Sequence, residues 1–440
     1  MKPAHALLSQ AASVAPFMPN DSAKCGAPPG CFPSPPPFRL MVFFPAKRAM
    51  SATRLLSPAL LTLAAAAFAI GTAEFVIMGL LPLIAADLRI DLPRAGHLVS
   101  GYALGVVAGG PLLAKLIARQ EEKRALSGLM LIFIAGNLAC LLAPSLWLLL
   151  LARVLTALSH ASLIGAAAVM AARLAPPGMA GRAMALMFSG MTLANVLGVP
   201  AGAWLGQWAG WRATFAAVAA LGLLTLFLIR RLLPTQAGEA RSGKPQARLP
   251  ARAWLALLAS VLAAASMFAF FTYLVPTLTQ VGGLPEKYAS AALLLCGAGL
   301  VAGGWLGGRL ADGKLERALI LTLAWLCASL AAFHLLAAQL AAALALMTLW
   351  GGLAFALCML LQALAIRLAG EAAERASAFN VGAFNLGNAL GAWLAGRLLE
   401  HGGALAHTSL LAAGLAGLTL LLALFIARHP RDKDHALAQA

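Results

Sequence analysis

Twelve apolar runs of about 20 residues, separated by short loops, leave this 440-residue chain few folds to choose from. A helix needs ~20 residues at 1.5 Å each to cross a ~30 Å hydrocarbon layer. Unpaired backbone groups are so costly there that only helices and closed barrels span it. The runs lack the alternating ten-residue pattern of a membrane barrel, which leaves helices. The pattern predicts spans over 57–81, 95–118, 124–143, 146–172, 182–208, 212–230, 253–279, 288–311, 317–337, 339–366, 376–398 and 404–427. Composition agrees: 61% of residues are hydrophobic and 11% charged, against ~45–50% and ~25% in soluble domains.

The formal charge of +17 would suit a nucleic-acid binder, but its distribution argues against one. Of 32 basic residues, 26 fall in the two tails and the even-numbered loops. Arg89, Arg94, Arg212, Lys287 and Arg397 occupy the odd-numbered loops, and Arg153 lies inside a span. Such asymmetry is the positive-inside bias, and it predicts that both termini are cytoplasmic. The six cysteines form no disulfide framework, and no Cys/His spacing suggests a metal or other cofactor.

Residues 1–50, with KCGAPPGCFPSPPP at 24–37, are too proline-rich to bury a core and predict a disordered tail. No long apolar stretch precedes a small-residue cleavage site there, so no signal peptide is expected, and translation from Met50 or Met41 would explain these residues. Beyond the tail the chain repeats itself. GGPLLAKLIARQEEKRAL after the second span parallels GGWLGGRLADGKLERAL after the eighth, and GVPAGAWLG in the fifth parallels GNALGAWLAG in the eleventh. The offset is near 190 residues in both cases. Repetition of six spans in one orientation predicts two pseudo-symmetric six-helix bundles, 51–230 and 253–427. A polar linker at 231–252 joins them, and 428–440 forms a short tail. Glycines spaced by four recur at 101, 105 and 109, at 198, 202 and 206, at 299, 303 and 307, and at 387 and 391. They predict close helix contacts, either static packing or sliding surfaces where the halves meet.

Only two full charges, Glu74 and Arg153, interrupt the apolar runs away from their ends; every other charge falls at a segment end, in a loop or in a tail. Each of the two costs on the order of 3 kcal/mol in hydrocarbon, so a function is the default expectation. With the first span ending near Pro82 and the fourth beginning near Ser145, both lie eight residues, ~12 Å, below the outer surface. The expectation is that they interact, directly or through water, and that Glu74 gains and loses a proton. Desolvation and a neighbouring guanidinium push a carboxyl in opposite directions, so helix movement would change its proton affinity. A static pair fixing helix register and direct binding of a cationic substrate are the alternatives. His160, two turns after Arg153, is a relay or a packing histidine. Asn195, Asn380, Asn385 and Asn388 contact substrate or neighbouring helices. Phe268, Phe270, Phe271 and Tyr273 would suit an apolar ligand, or simply lipid and core. Pro82, Pro200 and Pro276 are expected to bend or end helices.

These residues carry a resemblance. GTAEFVIMGLLPLIAADL in the first span, Arg153 in the fourth and SGMTLANVLGVPAGAWLG in the fifth resemble the major facilitator superfamily. Within it, the chain resembles the twelve-span drug:proton antiporter group. The fifth-span stretch, with Gly190, Gly198, Pro200 and Gly202, is similar to that group's exporter motif. AFNVGAFNLGNALGAWLAG in the eleventh is similar to sugar-efflux and chloramphenicol-resistance exporters. The family's cytoplasmic loop motif is kept in the second half as Gly308, Asp312 and Arg317. In the first half alanines replace its glycine and aspartate, although Arg119, Lys123 and Arg124 remain. The resemblance implies a multi-pass protein of the bacterial inner membrane, acting as a monomer and exporting a small organic compound against protons by alternating access. A proton-coupled uptake symporter and a non-transporting membrane sensor are the rival readings. No nucleophile–base or metal constellation points to an enzyme.

Overall fold

The computed structural model describes residues 57–117, 120–176, 179–235, 248–311 and 313–428. The expectations placed on the N-terminal tail, Arg119, Asp312, the middle of the linker and the C-terminal tail lie outside the described residues. Twelve helices follow in order: α1 Pro58–Leu88, α2 Leu92–Ile117, α3 Glu122–Leu142, α4 Leu146–Leu174, α5 Ala180–Ala209 and α6 Trp211–Leu232. They continue with α7 Ala251–Gln280, α8 Ala289–Ala311, α9 Leu315–Leu336, α10 Leu340–Ala369, α11 Ala373–Glu400 and α12 His407–Arg428.

Eleven of these are long and apolar enough to cross a membrane; α11 is the exception. It carries Glu374, Arg375, Asn380, Asn385, Asn388 and Arg397 within 28 residues. Its neighbours explain why that is tolerated, because α11 packs against α7 on one side and α2 on the other. The outward faces of the helices carry exposed Leu, Phe and Trp, including Trp147, Trp208, Trp254 and Trp325. On a soluble protein these would be unmatched apolar surface; around a helical bundle they are a lipid-facing coat with aromatic residues suited to the interfaces.

Three proline positions behave differently from one another. Pro82 does not end α1, which runs on to Leu88 and stops where Arg89 turns left-handed (φ 52°, ψ 46°). The expectation that the first span closes at Pro82 is therefore corrected. Ile84 packs in the core, and Asp87 is held by Arg212 Nη1 at 2.5 Å and Trp211 Nε1 at 3.0 Å. These anchors compensate for the one backbone bond that proline withholds. In α5 the residues before Pro200 form a π-turn, Ala194–Gly198, in which Val199 N–H reaches back to Ala194 O. α7 breaks at Thr272–Tyr273 and resumes as Leu274–Gln280, with Pro276 in the new first turn, where its missing N–H costs little.

Helix pairing repeats between the halves. The contacts α1–α5, α1–α6, α2–α4, α3–α4 and α3–α6 recur as α7–α11, α7–α12, α8–α10, α9–α10 and α9–α12. An ion pair repeats with them. Arg173 meets Glu122 at 2.8 Å between α4 and α3, and Arg367 meets Glu316 between α10 and α9. Both members of the second pair stand about 194 residues after the first, the offset seen in the duplicated sequence. The fold is thus two six-helix bundles, touching mainly through α2 with α11 and α5 with α8.

The glycine strips lie inside the bundles. Gly101, Gly105 and Gly109 face Leu150, Val154 and Leu158 of α4, while Gly198, Gly202 and Gly206 face Thr72, Val76 and Leu80 of α1. Gly299, Gly303 and Gly307 meet α10 at Thr348, Gly352 and Ala356, and Gly387 and Gly391 meet α7 at Val261 and Ala265. This corrects the expectation of sliding surfaces between halves. The strips lock helices together within each half, which is what a rigid moving body requires. Gly303→Ala tests it. The added methyl would fall well inside 3.0 Å of Gly352 backbone, where no side chain can yield. Overpacking of this kind costs ~1–3 kcal/mol. The thermal midpoint of the detergent-solubilised protein should fall by several degrees. Gly308→Ala, with nothing within 4 Å, should leave it unchanged; equal midpoints for the two variants would refute the locking role.

Candidate functional site

Among the described residues, Glu74 and Arg153 are the only Asp, Glu, Lys or Arg side chains that are buried, at 6% and 0% exposure. Arg153 sits on the backbone of α1. Its Nη1 donates to Ala73 O at 2.6 Å and its Nη2 to Glu74 O at 3.4 Å. Those carbonyls lie mid-helix, and the second lone pair of a carbonyl leaves room for another donor. The guanidinium carbon lies 4.1 Å from the centroid of the Tyr102 ring, a cation–π arrangement worth ~2 kcal/mol when desolvated.

The two charges are therefore neighbours, but not an ion pair. No Arg153 nitrogen lies within 4.0 Å of the Glu74 carboxylate, and that carboxylate has no hydrogen-bond partner among the described residues. The direct contact the guanidinium makes at position 74 is with the backbone carbonyl and not with the carboxylate. The depth argument changes as well. Glu74 lies 14 residues before the end of α1, ~21 Å, and Arg153 seven after the start of α4, ~10 Å. They meet because α1 overshoots α4 by about two turns, a consequence of its continuation through Pro82.

Tyr102 was not singled out from the sequence, yet it joins two residues that were. Beneath the guanidinium, its hydroxyl lies 3.2 Å from His160 Nδ1. Tyr102 and His160 are both buried, so the hydroxyl–imidazole contact is the polar outlet each finds there. The sequence signal was faint: one tyrosine beside Gly101 in the glycine strip of α2.

The glycines of the fifth-span motif position Glu74 from its other side. Gly190 meets Ala64, Gly198 meets Thr72 and Gly202 meets Val76, so α5 lies against α1 above and below the carboxylate. Asn195, in the π-turn, donates to Met191 O at 3.1 Å. A Cβ on Gly297 of α8 would meet the backbone of Asn195 and Val196, so the π-turn is also where the halves touch.

In the second half the amides separate. Asn380 Nδ2 donates to Gln362 Oε1 at 2.5 Å, and Gln362 Nε2 to Ser377 Oγ at 2.7 Å, forming a short α10–α11 network. Asn385 donates to Val381 O at 3.0 Å, and its Oδ1 is buried without a partner. Asn388 is buried one turn further on. Phe271 stacks on Trp350 of α10 with centroids 5.5 Å apart, and Phe268 reaches Phe75 of α1 at 6.2 Å. Tyr273 sits elsewhere: fully buried, its hydroxyl is wedged between Gly96 of α2 and Gly396 of α11. Near the same end, Gln207 Nε2 donates to Glu286 O at 2.9 Å and Ser290 Oγ approaches Gln207 Oε1 at 3.4 Å, again across the halves.

The loop-motif residues lie away from this centre. Arg124 pairs with Glu121 at 3.2 Å at the surface, Lys123 lies in the first turn of α3, Gly308 lies in the last turn of α8, and Arg317 is exposed.

Comparison with known proteins now decides the family. The Major Facilitator Superfamily pattern matches residues 63–381. The chain belongs to that superfamily. It is 40% identical over 372 residues to the inner membrane transport protein YdhP of Escherichia coli (strain K12), covering 84% of this chain and 96% of that one. It is 37% identical over 346 residues to the chloramphenicol resistance protein of Streptomyces lividans, covering 77% and 88%. The nucleoside transporter NupG shares the fold, with a TM-score of 0.68 at 12% identity over 84% of this chain and 99% of that one. This chain is a multi-pass membrane transporter of the major facilitator fold.

Proposed function

We propose that the protein is a proton-coupled exporter of a small organic compound and works as a monomer by alternating access. One observation carries the coupling: among the described residues Glu74 is the only buried carboxylate, it has no ion-pair partner there, and its helix α1 touches helices of both halves. Arg153 fixes the α1 backbone at that level, so a change in helix packing changes the surroundings of the carboxyl and with them its hold on a proton. The cross-half contacts of Tyr273, Gln207 and Ser290 gather at the end bearing the 89–91 and 281–288 connections. Under the positive-inside topology that end is extracytoplasmic, so the state described is closed on the outer side. Export is supported by the fifth-span motif around Pro200 and by the relative named for chloramphenicol resistance.

Proteoliposomes test the coupling. Glu74→Gln should lose pH-gradient-driven accumulation while keeping downhill exchange of the same compound. Full gradient-driven export by Glu74→Gln excludes the proton-carrier role. The unpaired state of the carboxylate also favours a second reading, direct binding of a cationic substrate. In that case Glu74→Gln loses exchange along with accumulation.

A further inference from the structure

Under the positive-inside topology, the outer end of the first half holds a charged cleft that the transport reading leaves unused. It measures about 580 Å³ and is lined by the end of α1, the start of α2 and the first turn of α4, with Asp87, Arg89, Arg94, Ser145 and Trp147 among its side chains. The odd-numbered loops hold five basic residues, and three of them meet here: Arg89 and Arg94 in the lining, and Arg212 behind it. Their charges are not equally committed. Arg212 bonds Asp87 and, at 3.2 Å, Ala143 O, while Trp211 Nε1 also donates to Asp87, so the one carboxylate in the lining is already answered. Arg94 meets Asp91 at 3.6 Å with both side chains more than half exposed, a pairing that contributes little. Arg89 has no acidic partner among the described residues, and the Ser145 hydroxyl caps nothing. Beneath the cleft, α4 turns apolar. Trp147, Leu151 and Leu155 are exposed at every fourth position, with Leu148 beside them, and form a strip ~12 Å long on a different side of the helix from buried Arg153.

We infer that this cleft binds the headgroup of an anionic glycerophospholipid of the outer-facing leaflet, with Arg89 and Arg94 on the phosphate oxygens and an acyl chain along Trp147, Leu151 and Leu155. A guanidinium fork meets a phosphate at two oxygens at once, and the Ser145 hydroxyl adds a further donor. A zwitterionic headgroup brings an ammonium to the same arginines and loses that advantage. A soluble phosphate satisfies the arginines but leaves the strip beneath them unused. Donors above and exposed apolar side chains below match a lipid instead, and an indole at the boundary between them suits the interface. Basic residues on this side run against the bias that orients the chain, so three at one cleft call for a partner of their own. The bound headgroup fastens α1, α2 and α4 together where α1 ends. It does so whether or not Glu74 carries protons.

Photo-cross-linking of the full-length protein in nanodiscs tests this. The probes are a phosphatidylglycerol and a phosphatidylcholine carrying the same diazirine-labelled acyl chain, each diluted into unlabelled phosphatidylcholine. Peptide mapping should show the phosphatidylglycerol enriched at least about fivefold over the phosphatidylcholine on residues 146–155, relative to residues 325–335 in the outer half of α9. Arg89→Gln combined with Arg94→Gln should remove the enrichment. Lys287→Gln, which deletes an outward basic charge elsewhere, should keep it, and millimolar inorganic phosphate should not reduce it. Equal labelling by the two lipids, enrichment that survives the double substitution, or enrichment lost in Lys287→Gln overturns the inference. Enrichment abolished by inorganic phosphate assigns the arginines to a free anion and overturns the lipid as occupant. If the double variant does not elute as a monodisperse protein, either single substitution should reduce the enrichment at least about twofold. The comparison of the two lipids on the unsubstituted protein decides independently of any variant.

Discussion

Arg153→Lys is expected to abolish at least ~90% of transport while the protein remains folded and monodisperse. The substitution keeps the positive charge, so the result separates charge from shape. The arginine fork spans two successive carbonyls, Ala73 O and Glu74 O, and its plane lies on the Tyr102 ring. An ammonium on a flexible stem cannot reproduce a planar two-point contact and a stacked face together. Bonds from a charged donor contribute ~1.5–3 kcal/mol each, so losing even one releases α1 from α4 at the level of the carboxylate. Substrate exchange in proteoliposomes, set beside size-exclusion behaviour, measures the effect. A lysine variant running at more than half the wild-type rate would show that charge alone suffices and that the seating on α1 is incidental.

Gly96→Ala is expected to prevent closure of the end that Tyr273 plugs. A methyl at position 96 would fall well inside 3.0 Å of the Tyr273 hydroxyl, and the ring is fully buried with no space to swing away. The contact is between halves, so relief comes by parting them. In a cysteine-free background, Gln207→Cys and Ser290→Cys replace side chains that lie 3.4 Å apart across the same boundary. Their oxidative cross-linking should be efficient on its own and fall at least about fivefold with Gly96→Ala, a shift of roughly 1 kcal/mol in a two-state equilibrium. Adding Tyr273→Ala removes the obstruction and should restore the cross-link. Undiminished cross-linking in Gly96→Ala would show that the tyrosine is not what sets the approach of the two halves.

Much of this was legible in the sequence, for physical reasons that also mark where legibility stopped. Helix positions followed from run length, because hydrocarbon tolerates no alternative backbone. Glu74 and Arg153 stood out because burying charge is costly, and both are buried. Which atoms of residue 74 the guanidinium would meet was not legible. That depends on the rotation of two helices about their axes, and apolar runs with no strong moment do not fix rotation. The glycine strips announced close approach but not the partner, and the partner proved to be inside each half. Pro82 looked like a terminator because the tethers of Asp87 lie more than 120 residues away in sequence. Trp350 could not be told from Trp147 or Trp208 by sequence, although the first is buried and the others are exposed.

The length of α1 has a consequence of its own. At 31 residues it measures ~46 Å, against a hydrocarbon layer of ~30 Å. Its far end is tethered through Asp87 to the first turn of α6. Clamped at mid-height by Arg153 and tied at its tip, this stiff beam can move only with its own bundle, so any tilt of that bundle would be carried undamped to the tip. A spin label or fluorophore at residue 89 would register that tilt from outside the bilayer and report each turnover without touching the buried machinery.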